Sequence, residues 1–489
     1  MDHIVPANIM SISLQFSGGG GTPVLRRARP SVTRWLTLAT GLALLGGTGA
    51  AVFGSETNPA PAWISQPLSL AESVNLALRQ NVSILRGKSD LEAAYGVVIQ
   101  TRAVALPSLK ATGSYQATTL TEGFPFPGAP SPQDQNWSAN IQIVQTIYDG
   151  GKISATWRSA KLTKQQAILQ YETVVADALL QVRLAYYDVL LAADQIEVNE
   201  ASVKLLNRQL EDQKSRFDAG MVPRFNVLQA EVALSNERPK LIQARNAFRV
   251  AKNNLVNLLG FQLPAQVLED IPLQLTDHLD ANPYKIELPV AVAKGFENRS
   301  ELAAARKTAS LRQESLTSAR ASRQPLVQLV GGYGARNSYY NNDLSREVHG
   351  FSGGAQVSWN IFDGFLRDGQ IAQAKAQYDG AKVDVDNQAR NIELEVRTQY
   401  SNFIEAGEIL ESQKKVQEEA DEALRLAIAR NEAGTGTQLD VLSAQTALTQ
   451  ARSTQVQALH DYDAARAKLE RAMGVNTWGQ SPAAAAPAK

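Results

Sequence analysis

The chain contains no cysteine and only four histidines, His3, His278, His349 and His460. Without a thiol there is no disulfide framework, thiolate metal site or cysteine nucleophile, and no acylated N-terminal cysteine. The histidines never fall at metal-ligand spacing, so imidazole-based zinc or catalytic clusters have no support. An excess of charge of one sign is missing too: 48 basic and 48 acidic side chains cancel, and nucleic acid is not an expected partner. Aromatics make up 7% of the 489 residues, while Ala, Gln, Leu and Asn dominate the longest regular stretches. That bias favours long helices over a compact enzyme.

Long hydrophobic runs are scarce. The run at residues 36–45 is short for a spanning helix, which needs about 20 apolar residues. Arg26, Arg27, Arg29 and Arg34 precede it and Gly49-Ala50-Ala51 follows, the order of a secretory signal. An N-terminal extension and signal peptide is therefore expected over 1–54, with an uncleaved anchor as the alternative. Export without a later apolar helix leaves the periplasm, the exterior, or an outer-membrane β-barrel.

What the chain does contain is one unit written twice. Ile147-Tyr-Asp-Gly-Gly151 returns 214 residues later as Ile361-Phe-Asp-Gly-Phe365. The same offset carries Ala160-Lys161 onto Ala374-Lys375, Ala219-Gly220 onto Ala433-Gly434, Val227-Leu228 onto Val441-Leu442 and Leu259-Gly260 onto Met473-Gly474. Upstream, Asn81 aligns with Asn298 at 217, and Pro107 and Tyr115 with Pro325 and Tyr333 at 218. The first unit runs over 68–260 and the second over 286–474, with a linker at 261–285 and a low-complexity tail, expected to be disordered, at 475–489.

Hydrophobic period then assigns elements. Helices are expected over about 68–104, 151–218 and 224–260, and again over 287–323, 365–432 and 438–473. Residues 153–219 hold neither Gly nor Pro. A 3-4 register runs through Val175, Ala178, Val182, Ala185, Val189, Ala192, Ile196, Asn199, Val203, Leu206, Leu210, Gln213 and Phe217, the spacing of a coiled coil. At about 1.5 Å per residue such a helix reaches on the order of 100 Å. Each long helix turns at a glycine, Gly220 or Gly434, and Pro239 should kink the first return helix.

Between the helices the period falls to two, giving strands over about 107–120, 136–148, 325–336 and 351–362. Leu109, Ala111, Gly113, Tyr115 and Ala117 alternate with Lys110, Thr112, Ser114, Gln116 and Thr118. Trp137, Ala139, Ile141, Ile143 and Ile147 follow the same rule, as do Phe351, Ala355, Val357, Trp359 and Ile361. Membrane barrel strands and half-buried strands of a soluble sheet share this pattern; export, the long helices and the loops at 123–132 and 337–343 favour the barrel. Four strands cannot close one, since small membrane barrels start at about eight, and an open edge in lipid leaves backbone groups unpaired. Two or three copies must share it, their long helices continuing below as a tube.

The duplicated turns are the most specific marks. Phe217-Asp-Ala-Gly-Met-Val-Pro-Arg-Phe-Asn-Val-Leu-Gln-Ala-Glu231 and Asn431-Glu-Ala-Gly-Thr-Gly-Thr-Gln-Leu-Asp-Val-Leu-Ser-Ala-Gln445 resemble a turn of the TolC-like outer membrane efflux protein family. Tyr148-Asp-Gly-Gly and Phe362-Asp-Gly resemble its strand-to-helix corners. The resemblance covers nearly everything from Leu68 to Gly474. It implies a mainly α fold with a small membrane β-barrel part: a duplicated unit of long coiled-coil helices plus a β-hairpin, trimerising to a 12-stranded barrel continuous with an α-helical tunnel. It implies a homotrimer in the outer membrane, the passive exit duct of a tripartite efflux pump for drugs or other small molecules, with a periplasmic adaptor (membrane fusion) protein and an inner-membrane pump as partners. A type I protein secretion duct is the alternative.

The same resemblance marks Gly220, Met221, Val222, Gly434, Thr435 and Gly436 as adaptor-docking helical tips. Asp440 matches a tunnel-lining acid of which three copies form a negative, cation-selecting ring. Ser443 stands at the second acidic position, so one ring is implied rather than two. Asn431, Gly436 and Asn226 occupy positions where some members carry Tyr, Arg and Asp, which implies a closed gate without a strong charged latch. A plainer reading has Asp440 capping a helix and both glycines serving as left-handed turn residues.

Enzyme chemistry finds no footing, and no cofactor is expected. Gly150-Gly151-Lys152 lacks the flanking residues of a phosphate loop. Asp277-His278 and His460-Asp-Tyr-Asp463 lack a nucleophile or third ligand; His460, on an expected helix, reads as solvated or tunnel-lining. Asp149 and Asp363 read as N-terminal caps of the long helices. A soluble periplasmic coiled-coil adaptor would explain the helices, but not two hairpins with apolar outward faces.

Overall fold

The computed structural model describes residues 67–118, 135–261, 270–337 and 344–475; the expected signal, the loop at 123–132, the tail from 476 and all but Asn337 of the loop at 337–343 lie outside them. In order come α1 (Leu70–Gln80), α2 (Val82–Ala103), β1 (Ser108–Ala117), β2 (Gln135–Tyr148), α3 (Lys152–Asp218) and α4 (Arg224–Leu258). The second unit repeats them as α5 (Leu288–Asn298), α6 (Ser300–Ala321), β3 (Leu326–Asn337), β4 (Glu347–Ser358), α7 (Leu366–Glu432) and α8 (Gln438–Ala472). Matching helices have equal lengths of 11, 22, 67 and 35 residues.

Four expectations need correction. The single helix expected over 68–104 breaks at Asn81, which takes an extended conformation. Its Oδ1 accepts from Ser83 and Ile84 N–H at 2.9 and 3.2 Å, starting α2, while Nδ2 donates to Leu258 O at 2.6 Å. The helix expected over 287–323 breaks likewise at Arg299, whose buried guanidinium donates to Ala472 O, Glu301 and Glu395. Asn81 is therefore the counterpart of Arg299, not Asn298. The strand expected over 351–362 is shifted to Glu347–Ser358, because β4 pairs with β3 from Asn337↔Glu347 to Leu326↔Ser358 and β3 ends there. Trp359 and Ile361 lie in the corner that follows. α4 continues through Pro239.

The helix α3 organises the molecule, packing on α2, α4, α6 and α8. Its coiled-coil register is buried at Ala178, Val182, Ala185, Val189, Ala192, Leu206 and Gln213. Near its middle a second face, with Leu179, Tyr186 and Leu190, packs on Leu68, Ala77, Leu255 and Leu259, and on Ile271, Leu273 and Leu279 of the linker. At about 1.5–3 kcal/mol for each large side chain fully buried, this cluster anchors the first unit. Ile392, Val396, Phe403, Leu469 and Met473 build its counterpart around Ala291 and Leu302. Between the units runs a charged chain: Arg471 pairs with Asp177 and Glu301, and Arg183 and Arg466 both pair with Glu470.

Candidate channel wall and helical tips

The four strands form one antiparallel meander in the order β1-β2-β3-β4. Register places residues of one parity on one face. Leu109, Ala111 and Tyr115 stand opposite Ile143, Ile141 and Trp137, Ile141 stands opposite Tyr333, and Ala139 opposite Ala335. Tyr333 in turn faces Phe351, and Val327 faces Val357. The other face carries Lys110, Thr112, Ser114, Asn140, Gln142, Gln328, Ser352 and Gln356. The apolar face is bare in the single chain, with Phe351 91% and Leu109 70% exposed. A sheet mainly apolar on one side and mainly polar on the other, with little of either covered, has the facing of a barrel-wall segment. Asn337 clips its outer end, accepting from Trp137 N–H at 2.9 Å and donating to Gln135 O at 3.0 Å.

At the far end each long helix stops in the same way. Met221 N–H donates to Arg216 O and Gly220 N–H to Phe217 O, both at 2.8 Å; Thr435 N–H donates to Arg430 O at 2.9 Å and Gly434 N–H to Asn431 O at 3.1 Å. These are Schellman turns, closed by glycines at φ +76° and +73°. Met221, Gly434 and Thr435 are exposed, Val222 and Gly436 half-buried, so the implied docking residues lie at the two tips. Asn431 Nδ2 donates to Gly436 O at 3.3 Å, bringing two of the positions implied for the gate together within one turn. Asn226 sits in the first turn of α4, its N–H donating to Pro223 O at 3.0 Å. Among the described residues no hydrogen bond links it to the second tip.

Asp440 is the acidic partner of a capping box. Its Oδ2 accepts from Thr437 N–H and Oγ1, each at 2.8 Å, and its N–H donates to Thr437 Oγ1 at 3.2 Å. The bond from the Thr437 backbone, then that from its hydroxyl and the nearby Arg430 charge hold the carboxyl below the usual Asp range. It therefore stays ionised and exposed beside Ser443, one turn on, so capping leaves its charge available. Three tip residues, Gln213, Gln438 and Arg430, have roles that the sequence does not assign. Gln213 Nε2 donates to Gln438 Oε1 at 3.2 Å, a buried tie between α3 and α8; its signal was a polar residue interrupting the α3 register. Arg430 stands in the last turn of α7, where the helix dipole favours a cation.

The corner aspartates do reach the long helices. Asp149 accepts from Gly151 and Ile153 N–H at 3.2 and 2.7 Å, and Asp363 from Arg367 N–H and Nε at 3.2 and 2.7 Å. Of the two readings expected for His460, solvated or tunnel-lining, the solvated one does not hold. The side chain is largely covered because α3 packs over it, its Nε2 2.9 Å from Asp188 and its Nδ1 3.0 Å from Asp461. Burial works against its protonation, but hydrogen bonds to the two carboxylates prevail and raise its pKa. Nearby Asp463 is 7% exposed; burial outweighs the Arg183 and Arg466 charges and pushes it up to about 6.

The family described as outer membrane efflux protein matches residues 73–261 and 294–475. The outer membrane protein TolC of Escherichia coli K12 is 24% identical over 425 residues, 84% of this chain and 83% of that protein. The cobalt-zinc-cadmium resistance protein CzcC of Cupriavidus metallidurans is 26% identical over 412 residues, 83% and 90% of the two chains. In fold, the chain is similar to the CmeC outer membrane channel of Campylobacter jejuni, with a TM-score of 0.72 at 16% identity over 85% of this chain and 87% of that one.

Proposed function

The chain belongs to the outer membrane efflux protein family and is an outer-membrane efflux or secretion duct, and from that premise we propose that three copies make one passive conduit of a tripartite pump. Edge strand β4 of each copy pairs with β1 of the next, closing twelve strands with the apolar face to lipid and the polar face to water. The observation that carries this is the four-stranded sheet, apolar on one face and unpaired at both edges. Such edges are tolerated in a bilayer only when closed. The long hairpins α3–α4 and α7–α8 of three copies then line a periplasmic tunnel about 100 Å long, from 67 residues of helix at about 1.5 Å each.

At the tunnel end, three Asp440 carboxylates form one negative ring, and the Gly220-Met221-Val222 and Gly434-Thr435-Gly436 turns meet a periplasmic adaptor that links the duct to an inner-membrane pump. The chain catalyses nothing in this scheme; the pump chooses the cargo, drugs or other small molecules, and the duct discriminates by size and charge. Purified full-length protein in detergent should have three times the chain mass by light scattering and should open conducting pores in a planar bilayer. A monomer, or recovery of the protein in the soluble fraction after a high-salt wash of membranes, would overturn the reading.

A further inference from the structure

We infer that Phe362 and Phe365 at the base of β4 are the anchor by which one copy grips the next, seated on the α2–β1 turn, Val104 to Leu106, of the second copy. The inference rests on the trimeric reading above and adds the contact that holds it.

Among the described residues, Phe365 is the one non-glycine residue at positive φ, +68°. An L-residue with a bulky side chain is strained there, at a cost of about 1–3 kcal/mol. Its counterpart in the first unit is Gly151, at φ +97°, where the same corner is made without strain. A side chain is therefore kept at 365 for something other than the turn. The two rings meet edge to face, with centroids 5.7 Å apart and planes at 85°, yet Phe362 is 75% and Phe365 71% exposed. The corner beneath them is rigid: Arg367 binds Asp363, Ser322 O and Ile361 O, and Trp359 Nε1 donates to Arg323 O at 3.2 Å.

What covers the rings follows from the duplication. At the first corner, a Cβ on Gly150 would lie 2.5 Å from Gln324 Cβ and 2.7 Å from Ala321 O. That corner is packed by the chain's own α6–β3 turn. At the second corner, Gly364 has nothing within 4 Å, because β4 is the sheet edge. The helices differ in the same way: α6 packs on both α3 and α7, whereas among the described residues α2 packs on α3 and α1 and has no comparable packing on α7. At the offset of 218 that relates α2 to α6, Ala103 and Leu106 replace Ala321 and Gln324, with matching turn hydrogen bonds (Leu106 N–H to Ala103 O, Gln324 N–H to Ala321 O). Closing β4 on a neighbour's β1 repeats between copies the contact made once within each.

The residues differ as the inference requires. Where the internal turn carries Ser322 and Gln324, the free turn carries Val104 and Leu106, 61% and 62% exposed. Apolar side chains thus stand on both free corners at the same end of the sheet, where β1 starts and β4 ends.

The test is subunit exchange between two differently labelled full-length trimers in detergent, which removes lipid as an alternative partner for the rings. F365G and L106Q should each speed exchange roughly tenfold or more, at unchanged helix content by circular dichroism; F365G also relieves the strained backbone and so cannot act by unfolding the corner. The double variant should exchange little faster than the faster single, since both remove one contact. Exchange unaltered in either single variant, or rates that multiply in the double, would overturn the anchor and leave the trimer standing. A wild-type chain that is monomeric in the same detergent would overturn the trimer and the anchor together.

Discussion

Replacing Asp463 by asparagine should stabilise the protein at neutral pH and do nothing in acid. The side chain is buried in α8, and burial raises its carboxyl from 3.8 to about 6. Between these two values the folded chain holds a proton that the unfolded chain has released, so stability falls as pH rises through that window. Above about pH 6 the full cost applies, about 3 kcal/mol at about 1.4 kcal/mol for each pH unit between the two pKa values. Asparagine keeps the shape of the side chain and removes the charge. The neighbouring Arg183 and Arg466 remain paired through Glu470, so neither is stranded. Urea unfolding followed by tyrosine and tryptophan fluorescence should give D463N up to about 3 kcal/mol per subunit over wild type at pH 8. The advantage should shrink to nothing near pH 4. An advantage equal at both pH values, or a loss at pH 8, would refute desolvation as the controlling force.

Other expectations follow from the wall and the tips. Ile141 and Gln142 are neighbours in β2 that point to opposite faces, so Ile141→Arg should destabilise the membrane-inserted form by about 2–4 kcal/mol while Gln142→Arg should be tolerated; equal losses in folding titrations into lipid vesicles would dismiss the facing of the sheet. Asp440→Asn should move the bilayer reversal potential in a salt gradient toward zero, whereas Thr437→Ala, which removes the cap and leaves the charge, should cost about 1 kcal/mol with selectivity kept; a reversal potential indifferent to Asp440→Asn would remove the carboxylate ring. Asp363→Ala should lower the denaturation midpoint by freeing Arg367 and the α7 N-terminus, and a midpoint equal to wild type would count against that brace.

Long elements were legible because their signals are local and repeated. The register of α3 from Val175 to Phe217 and the alternation in β1 needed no tertiary knowledge, and the second unit confirmed the first at a fixed offset. The breaks at Asn81 and Arg299 were not legible: neither is Gly or Pro, and each is paid for by partners far away, Leu258 O in one case and Ala472 O in the other. The bounds of β4 were misplaced because Trp359 and Ile361 extend its alternation beyond the point where β3 runs out. At the site, the duplicated turns stood out as sequence, but the tie between Gln213 and Gln438 joins residues 225 positions apart, and the covering of His460 depends on Asp188, 272 positions away.

The seam between α3 and α8 changes character along its length, and this bears on how the proposed gate is held without a charged latch. Near the middle of α3 it is ionic, with the buried pair of Arg183 and Glu470 and Arg471 on the exposed Asp177. Toward the tips the ties become neutral: Gln195 with Ser453 at 2.8 and 2.9 Å, Ser202 with Thr449 at 3.2 Å, Gln213 with Gln438 at 3.2 Å. Breaking a buried ion pair costs about 3–5 kcal/mol, whereas a neutral hydrogen bond exchanged for water is worth about 1 kcal/mol net. The tip seam also holds polar atoms in excess of their partners, since among the described residues Gln213 Oε1, Gln438 Nε2 and Gln445 Oε1 are buried with no hydrogen bond within the single chain. Water entering as the helices part would supply those missing bonds and offset part of the loss. The two hairpins are thus tied by charged pairs at the middle and by neutral hydrogen bonds toward the tips.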